Sequence, residues 1–258
     1  MRALHWLGGW LQARWAARRI PLAWLLLTRQ PVRLAVALAG ISFAGILMFM
    51  QLGFRDGLFD ASVTIHRLFD ADLVLISPRS SSSVSMAGFP RRRLVQAMAD
   101  PAVAGITPVH WSLLLWRNPE NRSTRSILAL GFEPNDPLFT DPSLAAKAAV
   151  LSQRGRVLFD QQSRSEFGPV AEWFRAGRTV ESEIGGKRIR VAGLVSLGTS
   201  FGADGNLLTS SETFLSLLPK TPPGSIEVGL IRLQPGTDPQ AALARLRAAL
   251  PKDVTVLS

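Results

Sequence analysis

The sequence predicts a membrane protein of the α+β class: one N-terminal transmembrane helix, then an outer domain of βαβ-type units with an inserted second subdomain. Three observations predict it. Leu34–Phe54 (LAVALAGISFAGILMFMQLGF) carries no charge. Its only strongly polar side chain is Gln51. The remaining two hundred or so residues alternate short apolar strands with short amphipathic helices, and the last of these, Ile226–Leu257, reads as strand, helix, strand.

The span follows from helix geometry. At 1.5 Å per residue the uncharged run reaches roughly 30 Å, the thickness of a bilayer's hydrocarbon core. Arg33 and Arg55 bound it. A buried soluble helix would show a polar face, and this run has none. A cleaved signal peptide would place a shorter apolar region nearer the start. Gly40 and Ala44 are four residues apart in a stretch crowded with Ala, Gly and Ser, a spacing that lets a second helix backbone approach closely.

Charge sets the orientation. The chain has 258 residues and a formal net charge of +10. Arg2, Arg14, Arg18, Arg19, Arg29 and Arg33 lie before the span, and no acid precedes Asp56. Positive flanks stay cytoplasmic, so the N-terminus is expected inside and the residues after about 56 outside. Because the basic excess is gathered in this arm, no nucleic-acid partner is expected. Within the arm, Leu4, Leu7, Leu11 and Trp15 recur at helical spacing beside Arg14 and Arg18, the pattern of a helix lying among lipid headgroups. A flexible basic tail is the plainer alternative, and Gly8-Gly9 favours it.

Beyond the span, residues 56–70 read as a helix continuing outward. Asp72–Ser77 is a strand, and 78–88 a Ser-rich loop. Arg91–Met98 reads as a helix with Pro90 at its start. Ile106–Arg117 and Ser126–Phe132 form strands joined by a hairpin connection around Pro119. Residues 143–153 are helical, 157–160 a strand, and 163–167 a turn of helix. Thr179–Glu183 and Arg188–Leu197 pair across Gly185-Gly186. Leu207–Thr209 is a strand and Ser211–Leu218 a helix. In the tail, Asp238 caps a helix whose first residue is Pro239.

The chemical inventory is sparse. Cysteine and tyrosine are absent, and the three histidines (His5, His66, His110) are far apart. No phosphate loop, dinucleotide fingerprint, nucleophile elbow or zinc-protease motif occurs. No catalytic, metal-binding or cofactor-binding residue is therefore assigned. Asp204-Gly205-Asn206 has too few carboxylates for a calcium loop and reads as a polar turn. Glu181 and Glu183 share a strand face, and Arg91-Arg92-Arg93 reads as a solvated helix start. Asn121-Arg122-Ser123 fits a glycosylation sequon, relevant only in a eukaryotic secretory route.

Several segments together resemble one family: Ile20–Trp24 (IPLAW), Ile46–Phe59 (ILMFMQLGFRDGLF), Leu75–Pro78 (LISP), Trp116–Ser126 (WRNPENRSTRS), Ser165–Pro169 (SEFGP) and Ser200–Leu207 (SFGADGNL). They resemble the N-terminal portion of DevC-type permease subunits of ABC exporters, within the MacB/FtsX-like group. The resemblance implies a cytoplasmic arm (1–33), a span (34–54), a periplasmic porter-like part in two halves (55–140 and 221–258) and an inserted subdomain (141–220). It also implies three further spans, so the chain is expected to be the leading portion of a permease or a truncated product.

The partners implied are a cytoplasmic ATP-binding subunit, a periplasmic adaptor (membrane fusion) protein, an outer-membrane channel, a second permease copy and the bilayer. ATP would be bound and hydrolysed on the partner subunit, and the cargo would be lipid-like or glycolipid-like. Arg122, Arg125, Phe201, Asp204 and Asn206 are the candidate partner-docking residues, because they sit in polar, turn-like segments that carry the resemblance. Gly40 and Ala44 are the candidates for helix packing in the membrane. Rival readings are an FtsX-like regulator of a cell-wall hydrolase and a one-span periplasmic sensor. The poor catalytic inventory argues against an extracellular enzyme.

Overall fold

The computed structural model describes residues 29–64, 69–82, 84–198 and 203–258, with backbone alone for 54–64. The amphipathic arm pattern (4–18), Phe201 and most of Ser200–Leu207's first half lie outside the described residues. The chain divides into two units, Met1–Gly57 and Leu58–Ser258.

In the first unit the dominant element is α1, Pro31–Thr64, which runs on past the unit boundary. Its Pro31–Gly53 portion is long and apolar enough to cross a membrane, and none of it is buried. Pro31 sits at the helix start, where a missing N–H costs nothing. The helix is described to Thr64, and Phe69 is already in a β-bridge with Phe139, so the helix expected over 56–70 does not reach its predicted end.

The second unit is built on one nine-stranded sheet. Its elements run β1 (Leu73–Ile76), β2 (Phe89–Pro90), α2 (Arg92–Ala97), β3 (Val103–Arg117) and β4 (Thr124–Phe132). Then come α3 (Pro142–Ala148), β5 (Arg156–Asp160), α4 (Val170–Arg175), β6 (Glu181–Ile184) and β7 (Lys187–Val195). The chain closes with β8 (Asn206–Ser210), α5 (Ser211–Leu217), β9 (Ser225–Ile226), β10 (Val228–Leu233), α6 (Pro239–Ala249) and β11 (Thr255–Leu257).

At one end the strand order is β11-β1-β10-β3, with every neighbour antiparallel. β1 and β3 are thus parallel with β10 slotted between them, and β10 and β11 are parallel with β1 between them. These are two interleaved split βαβ units, β1–α2–β3 and β10–α6–β11, in the ferredoxin-like order. Leu94 and Ala97 of α2 and Ala242, Leu243 and Leu246 of α6 share one core with Leu73, Leu75, Ile231 and Val256, so both crossover helices cover the same face. The sequence signal was local: Asp238 Oδ1 accepts from the Gln240 N–H at 2.9 Å, with Pro239 beside it.

At the other end the order runs β3-β4-β8-β5-β7-β6, and β6 returns to β3 through Trp116 and Ile184. The ring is therefore closed, which removes the exposed edges an open sheet would carry. Its interior packs Leu114, Trp116, Ile127, Phe159, Phe167, Val191, Leu207 and Phe214. β3 belongs to both ends. Val103–Val109 pairs with β10 and His110–Arg117 with β4, so the sheet changes over within a single strand.

Two local readings need correction. Pro90 does not open α2. It pairs with Ser225 in a two-residue strand, where proline's missing donor is tolerated, and Arg91 stands at the helix N-cap. Helix α4 was not expected: its six residues, Val170–Arg175, are too few for a periodic signal.

An ion pair closes the α2–β3 turn. Arg245 of α6 donates to both carboxylate oxygens of Asp100 at 3.0 and 3.3 Å, and the Ala102 N–H donates at 2.9 Å. The Arg245 hydrogen bond, then that of Ala102, holds the Asp100 carboxyl below its ordinary value of 3.8. A carboxyl depressed by folding adds stability above its unfolded value and loses it as pH falls through the folded one. Arg245→Ala is therefore expected to lower the melting temperature at pH 7 and to leave it nearly unchanged at pH 2. A pH series of thermal melts checks this, and an equal loss at both pH values refutes it.

Candidate docking surface at the end of the barrel

Three segments far apart in sequence meet at one end of the barrel: the β3–β4 hairpin, the 163–168 turn and the 203–207 entry to β8. Trp116 Nε1 donates to the Phe167 carbonyl at 3.1 Å. Asn118, buried, donates through Nδ2 to the Glu166 carbonyl at 3.0 Å. Its Oδ1 accepts from the Glu120 and Asn121 N–H groups at 2.8 and 3.3 Å, which folds the hairpin tip. Gly168 permits this closeness, since a Cβ there would lie 2.7 Å from Asn118 Oδ1 and its φ is +97°. The third segment joins through Gly205, where a Cβ would lie 2.7 Å from Ser163 Oγ.

Arg125 and Asp204 come together on this scaffold. Arg125 reaches Asp204 at 3.4 Å and Glu166 at 3.5 Å, and Arg164 Nε reaches Asp204 Oδ1 at 3.0 Å. These side chains are a third to three-fifths exposed, so the pairs contribute little stability and mainly fix geometry. Arg125, Glu166 and Asp204 line an open, polar concavity with Asn121, Ser123 and Ser126.

Arg122 lies elsewhere. It faces a second concavity with Glu181, Glu183 and Arg188. Arg117, Arg188 and Arg190 each pair with Glu181 or Glu183, whereas Arg122 makes no ion pair among the described residues. Arg122 is also the one described non-glycine residue with positive φ, at 65°. A Cβ in that conformation costs about 1–2 kcal/mol, part of which glycine's extra unfolded-state freedom cancels. Arg122→Gly is accordingly expected to preserve thermal stability or raise it by up to about 1 kcal/mol. A loss above 1 kcal/mol in a denaturant titration refutes this.

Asn206 is not on either surface. It is fully buried, and its Nδ2 donates to Asp160 Oδ2 at 2.8 Å and to the Gly198 carbonyl at 2.6 Å. Asp160, also fully buried, accepts from the Gln162 and Leu197 N–H groups at 3.0 and 3.2 Å. Neither residue's role was legible, because the partners lie 37 and 46 residues from Asp160. The same holds for His110, whose Nδ1 is 3.2 Å from Glu227 Oε2 across 117 residues at the changeover point of β3. In the membrane-type helix, a Cβ at Gly40 would meet nothing within 4 Å, and Ala44 is exposed.

The sequence profile of the MacB-like periplasmic core domain matches residues 34–249. The chain belongs to that family. A MacB-like periplasmic domain is a part of ABC-type permeases and not itself an enzyme, and its place after one N-terminal apolar helix fits an inner-membrane protein. The periplasmic region of MacB from Actinobacillus actinomycetemcomitans is 12% identical, with TM-score 0.46, covering 74% of this chain and 90% of that one. The extracellular domain of the noncanonic ABC-type transporter YknZ from Gram-positive bacteria is 11% identical, with TM-score 0.45, covering 72% and 99%. No curated protein shows significant similarity to the chain.

Proposed function

We propose that this MacB-like chain is part of a DevC-type permease subunit of an ABC exporter, with its N-terminus cytoplasmic and the residues after about 56 periplasmic. ATP is hydrolysed on a separate cytoplasmic subunit. The helix passes that motion to the outer domain, which acts on an adaptor protein and an outer-membrane channel to move a lipid-like or glycolipid-like cargo. A second permease copy packs against the span at Gly40 and Ala44.

One observation carries this reading. The family match extends over residues 34–249, from Leu34 in the apolar stretch to Ala249 near the end of the folded domain, which supports reading helix and domain together as part of one permease. The docking face for the adaptor is the β3–β4 hairpin end of the barrel, with Arg125 and Asp204 at one concavity and Arg122 at a second. Loops held on a rigid ring suit recognition, since the ring fixes their spacing while their side chains stay exposed.

The test is adaptor capture by the complete permease. Arg122→Glu is the cleaner variant, because Arg125→Glu also breaks the pairs with Glu166 and Asp204. Reversing Arg122 is expected to reduce capture at least fivefold with the domain still folded. Undiminished capture by both reversals removes this face from the interface.

A further inference from the structure

The short segment by which the chain enters the outer domain is fastened far more heavily than one strand start requires. Phe69 is 5% exposed and lies 6.3 Å from both Trp111 of β3 and Phe139, ring to ring. It also forms a β-bridge with Phe139. The Asp70 N–H donates to the Leu138 carbonyl at 2.9 Å, and the Asp70 carboxylate pairs with Arg232 at 3.2 Å. The Asp72 N–H donates to the Ile231 carbonyl at 3.0 Å. Asp72 Oδ2 accepts from the Leu233 N–H at 2.7 Å, a carboxylate taking the place of a strand carbonyl beyond the start of β1.

These attachments reach three separate parts of the domain. Ile231–Leu233 is the end of β10, in the ferredoxin-like half. Trp111 is on the barrel portion of β3. Leu138 and Phe139 belong to the connection from β4 toward α3. Phe69, Trp111, Leu138 and Phe139 share one core with Leu128 and Leu158 of the barrel and Val228 and Leu230 of β10. Displacement of residues 69–72 therefore bears on both halves together, because a close-packed interior transmits strain instead of absorbing it.

We infer that residues 69–72 are the coupling joint of this protein, and that Phe69 and Asp72 are positioning residues that convert movement of the preceding helix into movement of the outer domain. This rests on the proposed function, since only a permease driven by ATP has such movement to convey. Asp72 holds the joint to β10 through one charge-assisted bond, and Phe69 holds it to the common core.

The chain's residues include no cysteine, so two can be introduced as labelling sites without competing thiols among them, any elsewhere in the complex being replaced by serine. Gln51→Cys on the helix and Lys252→Cys on the domain, both exposed positions, take spin labels in the complete permease with its ATP-hydrolysing subunit. The distance distribution is measured with and without ATP. The parent is expected to show an ATP-dependent shift; if it shows none, the proposed function fails. Asp72→Ala and Phe69→Leu are expected to retain ATP hydrolysis within twofold and to lose at least half of the shift. Asp72→Asn, which keeps an oxygen acceptor for Leu233, is expected to restore it. An ATP-dependent shift of parental size in both variants, or a loss only proportional to the fraction unfolded by circular dichroism, overturns the joint.

Discussion

Asp160→Ala is expected to destabilise the outer domain by about 3–5 kcal/mol, more than any surface change around the docking face. The carboxylate sits at the end of β5 with no exposed surface. Removing it takes the acceptor from the N–H groups of Gln162 and Leu197 and from one of the two Asn206 amide hydrogens at once, the other staying on the Gly198 carbonyl. Each buried unpaired donor costs about 1–3 kcal/mol, and a partial local opening to water recovers some of that. At about 2–4 °C per kcal/mol for a domain of this size, the melting temperature should fall by about 10 °C. Asp160→Asn keeps the shape and one acceptor, yet turns an amide donor toward Asn206. It should cost less than the alanine variant and more than an exposed Asp→Asn change such as Asp253→Asn. Paired thermal melts decide the order, and a loss under 1 kcal/mol for Asp160→Ala contradicts the network.

The consequence for function is positional. Leu197 and Asn206 flank the segment 199–202, and Asp160 binds both flanks to the end of β5. Asn206 thus anchors the entry to β8 from the inside without lining the proposed docking face. In the sequence it was indistinguishable from Asp204, two residues away in the same polar turn. Burial separates them: Asp204 reaches outward to Arg125 and Arg164, while Asn206 reaches inward to Asp160.

What could be read beforehand was what short-range chemistry decides. Asp238-Pro239 announced α6, and Asp141, whose side chain accepts from the Ser143 N–H at 2.8 Å, caps α3 in the same way. Gly185 and Gly186, with φ of 56° and 78°, made the β6–β7 hairpin visible. The βαβ-type units followed from strand–helix–strand order at each end of the domain, whereas their split, interleaved pairing did not. What stayed hidden depends on contacts distant in sequence. That β6 closes onto β3 at Trp116, or that one strand serves both the open sheet and the ring, is settled by which buried faces meet. No local pattern at Ile184 or His110 encodes that choice.

Replacing Ile41 and Ile46 together by Asp is expected to release the protein from membranes into the alkaline carbonate supernatant. No residue of the helix Pro31–Gly53 is buried, and Ile41, Phe49 and Met50 are each more than 70% exposed. So much contiguous apolar surface is not stable in water, whereas a helix in lipid satisfies all its backbone groups internally. Ten Leu, Ile, Val and Phe residues lie between Leu34 and Phe54, together worth about −3 to −6 kcal/mol on the insertion scale. One central Asp adds about 2.5–3.5 kcal/mol and leaves the balance near zero; two reverse it. The single variants should therefore remain largely in the pellet, and the double variant should not. Carbonate strips proteins held only by a charged or amphipathic arm, so the basic residues before Arg33 cannot mask the effect. If the double-Asp protein stays in the pellet while its outer domain melts normally, the apolar helix is not what holds the chain in the membrane, and the route by which ATP-driven motion would reach the periplasm is lost with it.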